Sequence, residues 1–178
     1  MRAAQSQLLI IDVQEKLLPV MAEPEQVERA NLTLIAAARH MDVPISFTEQ
    51  YPKGIGHTAA SLRLLAGDDA RFFEKMHFSA LQEPEIRAYL NKARLQIVLA
   101  GIESHICLLQ SAFDLLGEGF AVYCVDEAMS SRTPASKNLA LARLRAAGAS
   151  IVSVEMVLFE WLERAGTPAF KAMLPLIK

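Results

Sequence analysis

Three side chains of unlike chemistry stand where apolar runs of the chain end. Asp12 closes Leu9-Ile10-Ile11-Asp12, Lys75 lies in Phe73-Glu74-Lys75-Met76, and Cys107 follows Gly101-Ile102-Glu103-Ser104-His105-Ile106. A thiol, a carboxylate and an ammonium are the parts of a covalent hydrolytic site: a sulfur nucleophile, a base for its proton and a cation that favours the anion. Cys107 falls about one turn into a helix that starts straight after a strand. Unpaired N–H groups and the positive end of the helix dipole favour thiolate there. The same N–H groups can hold a developing oxyanion. Each residue also has an ordinary alternative. Cys107 can be a small buried hydrophobe, Asp12 can cap the following helix or bind backbone amides, and Lys75 can be a solvated strand-end lysine.

The remaining candidates carry weaker signals. His40, His57, His77 and His105 show no His-x-x-x-His spacing, so no metal site is read. His77 and His105 stand within two residues of Lys75 and Cys107 and are candidate pocket residues. Asp126, after Val122-Tyr123-Cys124-Val125, reads as a loop-ordering carboxylate or a substrate contact, and Cys124 as a mid-strand structural residue. Ser130-Ser131-Arg132-Thr133 reads as a turn and a helix cap. No glycine-rich phosphate loop occurs. Asp12-Val13-Gln14 lacks the second aspartate expected of an aspartyl phosphatase.

These residues must be positioned by the elements around them. Short apolar runs recur at Leu8–Asp12, Pro44–Thr48, Phe72–Met76, Gln96–Ala100, Phe120–Val125 and Ser150–Val154. They are too short for helices and read as buried strands; Glu74 and Lys75 make the third the weakest. Between them, Val27, Leu34, Ala38 and Met41 follow Pro24 on one helical face. Pro84 opens a helix with Ile86, Leu90 and Ala93. Ser104 caps one running to Leu116, stopped by Gly117 and Gly119. Thr133-Pro134 opens another that Gly148 ends, and Thr167-Pro168 a short terminal one. Glu49 to Thr58 reads as a loop. Strand alternating with helix predicts a parallel sheet covered on both faces. Ligands of such sheets bind beyond the carboxyl ends of the strands, where Asp12, Lys75 and Cys107 stand.

Composition bounds the answer. The chain has 178 residues, 52% hydrophobic, which is too apolar for disorder and fits one domain over 1–178. Net charge of −2 gives no electrostatic footprint for nucleic acid. Two cysteines cannot build a disulfide framework. No run approaches a membrane span and no signal peptide is read, so a reduced, cytoplasmic protein is expected. The apolar surplus leaves room for a subunit interface.

The motifs resemble those of the isochorismatase-like hydrolases, the cysteine hydrolase superfamily, over nearly the whole chain. The likeness rests on Leu9-Ile10-Ile11-Asp12-Val13-Gln14, on Lys75 before Phe78-Ser79, and on Gly101-Ile102-Glu103-Ser104-His105-Ile106-Cys107 with Asp126 downstream. Thr48-Glu49-Gln50-Tyr51-Pro52-Lys53-Gly54-Ile55-Gly56 and Asp126-Glu127-Ala128-Met129-Ser130-Ser131-Arg132 look most like the isochorismatase-domain-containing subgroup. The resemblance implies a three-layer α-β-α sandwich with a six-stranded parallel, Rossmann-like sheet. It implies Cys107 as nucleophile, Asp12 as general base and Lys75 as the cation that orients Asp12. It also implies a cis Ile102–Glu103 peptide that aims the N–H groups of Glu103 and Cys107 at the oxyanion.

The metal-binding Asp-x-His pattern of related nicotinamidases is missing after Glu49, so no metal and no other cofactor is expected. The presence of Cys107 sets the chain apart from true isochorismatases, which cleave a vinyl ether without it. Carbamoyl-sarcosine amidases are metal-free members with the full triad. Hydrolysis of a C–N bond in a small amide or carbamoyl compound is therefore expected, in a pocket lined by Tyr51, His77, Phe78 or His105. The implied partners are a small molecule and further copies of the chain, as a dimer or tetramer, with no nucleic acid and no membrane. A non-catalytic oligomeric binding module and a vinyl-ether hydrolase are the alternatives.

Overall fold

The computed structural model describes residues 1–176. The first apolar run becomes β1 (Ser6–Ile11), buried along its whole length. It is followed by β2 (Ile45–Gln50), β3 (Arg71–Lys75), β4 (Gln96–Ile102), β5 (Ala121–Ser130) and β6 (Ser150–Val152). All six pair in parallel, in the order β3-β2-β1-β4-β5-β6. This is the doubly wound order, with its switch point between β1 and β4.

Side chains alternate across a strand, so Leu8 and Ile10 enter one core while Leu9 and Ile11 enter the other. The first core is closed by α1 (Pro24–His40), α3 (Ala60–Ala66), α7 (Val154–Leu162) and α8 (Pro168–Met173), through Leu34, Leu62, Val157 and Met173. The second is closed by α4 (Pro84–Tyr89), α5 (Leu109–Gly117) and α6 (Pro134–Ala146), through Ile86, Leu115 and Leu144. The three layers follow, and a sheet buried on both faces absorbs most of the apolar content. No described helix is long and apolar enough to cross a membrane.

Six elements depart from the sequence reading. Helix α3, and the single turn α2 (Pro52–Ile55), lie in or beside the predicted loop. Helix α3 buries only Leu62 and Ala66, too few contacts to mark a period. Helix α7 is apolar almost all round and follows β6 directly; Ser153 stops the strand early by accepting the Met156 N–H at 3.1 Å. Helix α4 ends at Tyr89, so Ala93 lies outside it although Leu90 is still buried. Strand β2 runs on through Glu49 and Gln50, and β5 runs past Asp126 to Ser130 after a register shift between Leu99 and Gly101 on β4.

Gly101 sits at that shift, on β4 beside Ile11, with φ +114°. A Cβ there would stand 2.0 Å from the Ile11 carbonyl oxygen and 2.5 Å from its nitrogen. Both obstacles are backbone, so no side chain can move aside. Gly101→Ala is expected to destabilise the chain by roughly 3 kcal/mol or more, from strain and overpacking together. Urea unfolding would measure it, and an unchanged midpoint would contradict the packing described.

Candidate active site

Asp12 is the first residue beyond β1 and adopts φ +51°, while its N–H donates to the Thr48 carbonyl at 3.1 Å. Lys75 ends β3. Neither side chain has any exposure, and the Lys75 Nζ stands 2.8 Å from Asp12 Oδ2. The ammonium donates to Gln50 Oε1 at 2.6 Å and to the carbonyls of His77 and Phe78 at 3.2 Å each. On the other side, the Thr48 hydroxyl donates to Asp12 Oδ1 at 2.6 Å. The Lys75 approach to Oδ2 has the distance of an ion pair but an angle oblique to a hydrogen bond, so Oδ2 keeps lone-pair capacity. A buried ion pair is tolerable only when its remaining donors and acceptors are met, and here the neighbours meet those of the ammonium and of Oδ1.

The third group arrives from β4. The Ile102–Glu103 peptide is cis, as the resemblance implies. A π-helical turn, Ser104–Leu108, then leads into α5. Glu103, not Ser104, is the cap residue, and its carbonyl accepts the N–H groups of Ile106 at 3.0 Å and Leu108 at 3.3 Å. The predicted Ser104 cap is therefore replaced; its hydroxyl is buried without a hydrogen-bond partner among the described residues. The wide turn, a form found mostly at functional sites, carries Cys107 inward to 7% exposure.

The Cys107 thiol lies close enough to both charged groups for each to shift its titration. Burial first, and the Asp12 charge second, push its pKa up to about 12, against the opposing pull of Lys75. The dipole argument for a standing thiolate thus gives way to desolvation. The resting group is a thiol poised on a carboxylate that can take its proton. Cys124 is likewise pushed up to about 12, by burial alone in β5.

These two thiols predict a pH dependence of stability. Folded, they keep their protons up to about 12; unfolded, they release them near 9.0. The unfolded chain then binds fewer protons, so this stability is intact below about pH 9 and falls as pH rises toward about 12. Cys124→Ala removes one of the two contributions. Thermal unfolding between pH 8 and 11 should show a shallower decline in that variant, and equal slopes would refute the linkage.

The predicted pocket residues do not form one wall. His77 and Phe78 line a groove of about 510 Å³ with Gln110, Phe113 and Asp114. Tyr51 lines a separate depression of about 230 Å³ with Lys75, Met76 and Glu83. His77 is exposed and engages Glu83 at 2.9 Å. His105 turns to the Ser131 hydroxyl at 2.9 Å, while Arg132 pairs with Glu103 at 3.0 Å. Those two contacts tie the turn after β5 to the start of the π-helical segment. Asp126 lies within β5 and not in a loop, and it pairs with Lys137 of α6 at 3.0 Å. A further groove of about 420 Å³ lies by Pro44 and Ile45, at the amino end of β2 and away from the reactive groups.

Thr48 and Gln50 were missed as site residues. Their signal was alternation: Ser46, Thr48 and Gln50 share one face of a strand whose last residues read as loop. Register places Thr48 opposite Ile11 and Gln50 opposite Lys75. Gln14 supports them, with its Oε1 accepting the Gln50 N–H at 2.8 Å and its amide donating to the Gln50 and Gly56 carbonyls. Glu49, on the opposite face, accepts from Thr58 and pairs with His57 and Arg63 at 2.9 Å. Among the described residues no group of three His, Cys, Asp or Glu side chains gathers to bind a metal ion. Thr48→Val keeps the shape but removes the donor from buried Asp12 Oδ1. It should lower stability by about 1–3 kcal/mol, measured by urea unfolding; a neutral result would show that Oδ1 finds another donor.

A model of the isochorismatase domain matches residues 6–156. The chain belongs to the isochorismatase family. It is 37% identical to the secreted isochorismatase effector Isc1 of Phytophthora sojae, over 97% of this chain and 84% of that protein. It is 36% identical to isochorismatase domain-containing protein 2A of Mus musculus, over 96% of this chain and 82% of that one. Among solved structures, the MAR1 ribonuclease of Caenorhabditis elegans superposes with a TM-score of 0.94 at 32% identity, covering 99% and 91% of the two chains. That relative is named a ribonuclease, so the expected exclusion of nucleic acid is left without support. Two YcaC proteins share the isochorismatase fold at lower identity. The Pseudomonas aeruginosa one, 22% identical with a TM-score of 0.91 over 99% and 90% of the chains, carries a covalent acrylamide. The Escherichia coli one, 20% identical with a TM-score of 0.90 over 98% and 91%, is an octameric hydrolase of unknown specificity.

Proposed function

We propose that this isochorismatase-family chain is a cysteine-dependent hydrolase of a small amide or carbamoyl compound. One observation carries the reading: a buried thiol lies within the influence of a carboxylate that is itself paired at 2.8 Å with a buried ammonium. A merely structural cysteine has no need of either charge, and a buried ion pair is an unfavourable way to add stability.

In this reading Asp12 takes the Cys107 proton as the sulfur attacks the carbonyl carbon. The C=O electron pair moves to the oxygen, where the N–H groups of Glu103 and Cys107 hold the charge. The oxyanion collapses, the C–N bond breaks, and Asp12 returns the proton to the leaving nitrogen. Water then gives a proton to Asp12, attacks the thioester and releases the acid, and the thiol regains its proton. Lys75 holds Asp12 in place between these transfers and pulls the sulfur toward its anion. Because the resting group is a thiol, the proton must leave as the S–C bond forms, and Asp12 is the group within reach.

The test is a panel of small amides, carbamoyl compounds, isochorismate and RNA, assayed with wild type and Cys107→Ala. Turnover of an amide that is lost in Cys107→Ala is the expected result. Activity on isochorismate that survives Cys107→Ala but vanishes in Asp12→Ala would replace this reading by vinyl-ether hydrolysis. Cleavage of RNA that survives Cys107→Ala would replace it by ribonuclease activity, the reading that the name of the Caenorhabditis elegans relative favours.

We further propose a homo-oligomer working in a reducing compartment such as the cytoplasm. Exposed Tyr51, Met76 and Phe78 around the mouth of the site, and two unpaired buried cysteines, support this. A monomer in sedimentation, or recovery of the chain from culture medium, would count against the respective statement.

A further inference from the structure

Gln110 and Asp114, four residues apart, share one face of α5, which leaves the π-helical turn that carries Cys107. Across from that face runs the segment after β3, Met76 to Ser79, and between the two lies the groove of about 510 Å³. It is joined to the reactive groups through its wall residue Phe78, whose carbonyl accepts from Lys75 Nζ. Its walls are apolar, with Met76 67% and Phe78 54% exposed and Phe113 half-buried. Among the described residues no lysine or arginine lines it, although the Arg143 guanidinium stands 5.1 Å from the ring of its wall residue Phe113. The His77 ring is engaged by Glu83, and Arg87, which borders Asp114 from the other side, pairs with Glu118, as does Lys92.

One charge enters this groove, the Asp114 carboxylate. The Ser79 hydroxyl and the Gln82 amide donate to its Oδ2 at 2.6 and 2.8 Å. Those neutral donors hold the carboxylate in place without cancelling its charge. The rise of seven helical residues sets Asp114 about 10 Å from Cys107, within reach of a short chain attached to the scissile carbonyl.

We propose that this groove binds the part of the substrate remote from the reacting carbonyl, and that Asp114 selects a short apolar chain ending in an ammonium or guanidinium group. The proposal rests on Cys107 as nucleophile and adds the substrate class. Contacts made there would hold the carbonyl over the sulfur, the use to which remote binding energy is put.

Three acrylamides of equal chain length, ending in ammonium, methyl and carboxylate, test it through the rate of Cys107 labelling followed by mass spectrometry. The sulfur bonds to the terminal alkene carbon, the C=C π pair shifts to the adjacent carbon, and that carbon takes up a proton. The ammonium probe is expected to react roughly tenfold faster than the carboxylate probe, from one attraction and one repulsion of partly screened charges. Added salt should shrink that ratio. Asp114→Asn keeps the volume and an acceptor for Ser79 and should bring the three rates together, while Gln110→Lys should reverse their order. Equal rates in wild type, or a preference that persists in Asp114→Asn, would overturn the groove assignment and leave the nucleophile standing. Failure of all three probes to label Cys107 would overturn the nucleophile and the groove with it.

Discussion

Alanine at position 107 is expected to leave the chain folded and to remove both covalent labelling and hydrolysis, with turnover falling at least about a thousandfold. The side chain is small and lies at the edge of the second core, so the loss of packing is slight. Its chemistry has no substitute nearby. Ser104 is buried, but its hydroxyl has no base beside it among the described residues. Asp12→Asn is the companion experiment. It preserves the shape and removes the proton acceptor; burial still opposes the thiolate once the Asp12 charge is gone, so labelling should slow. If Asp12→Asn labels as fast as wild type near pH 7, the carboxylate is not the base. If Cys107→Ala retains turnover, the thioester scheme is wrong altogether.

The second large effect is structural. Lys75→Met should destabilise the fold by about 3–5 kcal/mol, because it leaves Asp12 charged and unpaired in a site with no exposure. Gln50 Oε1 and the carbonyls of His77 and Phe78 lose their donor at the same time. Methionine fills most of the vacated volume, so the loss is electrostatic and not a cavity. Asp12→Asn combined with Lys75→Met removes both charges and should recover a good part of that stability while remaining inactive. Urea unfolding of the two single variants and the double one gives the coupling directly. Additive losses would mean that the two groups do not act as a pair.

Taken together, the two experiments separate two roles of one cluster. Near neutral pH, Lys75 would act on stability and on reaction alike, while Cys107 would act on reaction alone. A binding module built on this fold would show the first effect without the second.

Much of this was legible in the chain. Short apolar runs alternating with amphipathic stretches require a parallel sheet buried on both faces, because such strands have no polar side to give to water. That placed Asp12, Lys75 and Cys107 at strand ends, and the doubly wound order brings those ends together. Strand β3 was legible despite its charges, since Phe73 and Lys75 are buried while Glu74 between them is exposed. Helices α3 and α7 were not, because one buries too few residues to show a period and the other is apolar on nearly every side.

The sequence by itself determined which groups could react and on which strands they stand, since residue type and apolar periodicity are local properties. The tertiary structure alone decided their state. Parallel register carried Thr48 and Gln50, which looked like strand interior and loop, to opposite ends of the Asp12–Lys75 pair. The π-helical turn moved Cys107 off the capped helix that Ser104 seemed to announce and down onto Asp12. There desolvation outweighs the helix dipole, because the penalty of a buried charge depends on everything packed around it and not on the neighbours along the chain. For the same reason Tyr51, His77, Phe78 and His105, which stand near the reactive residues in sequence, divide between two grooves and a hydrogen bond to Ser131.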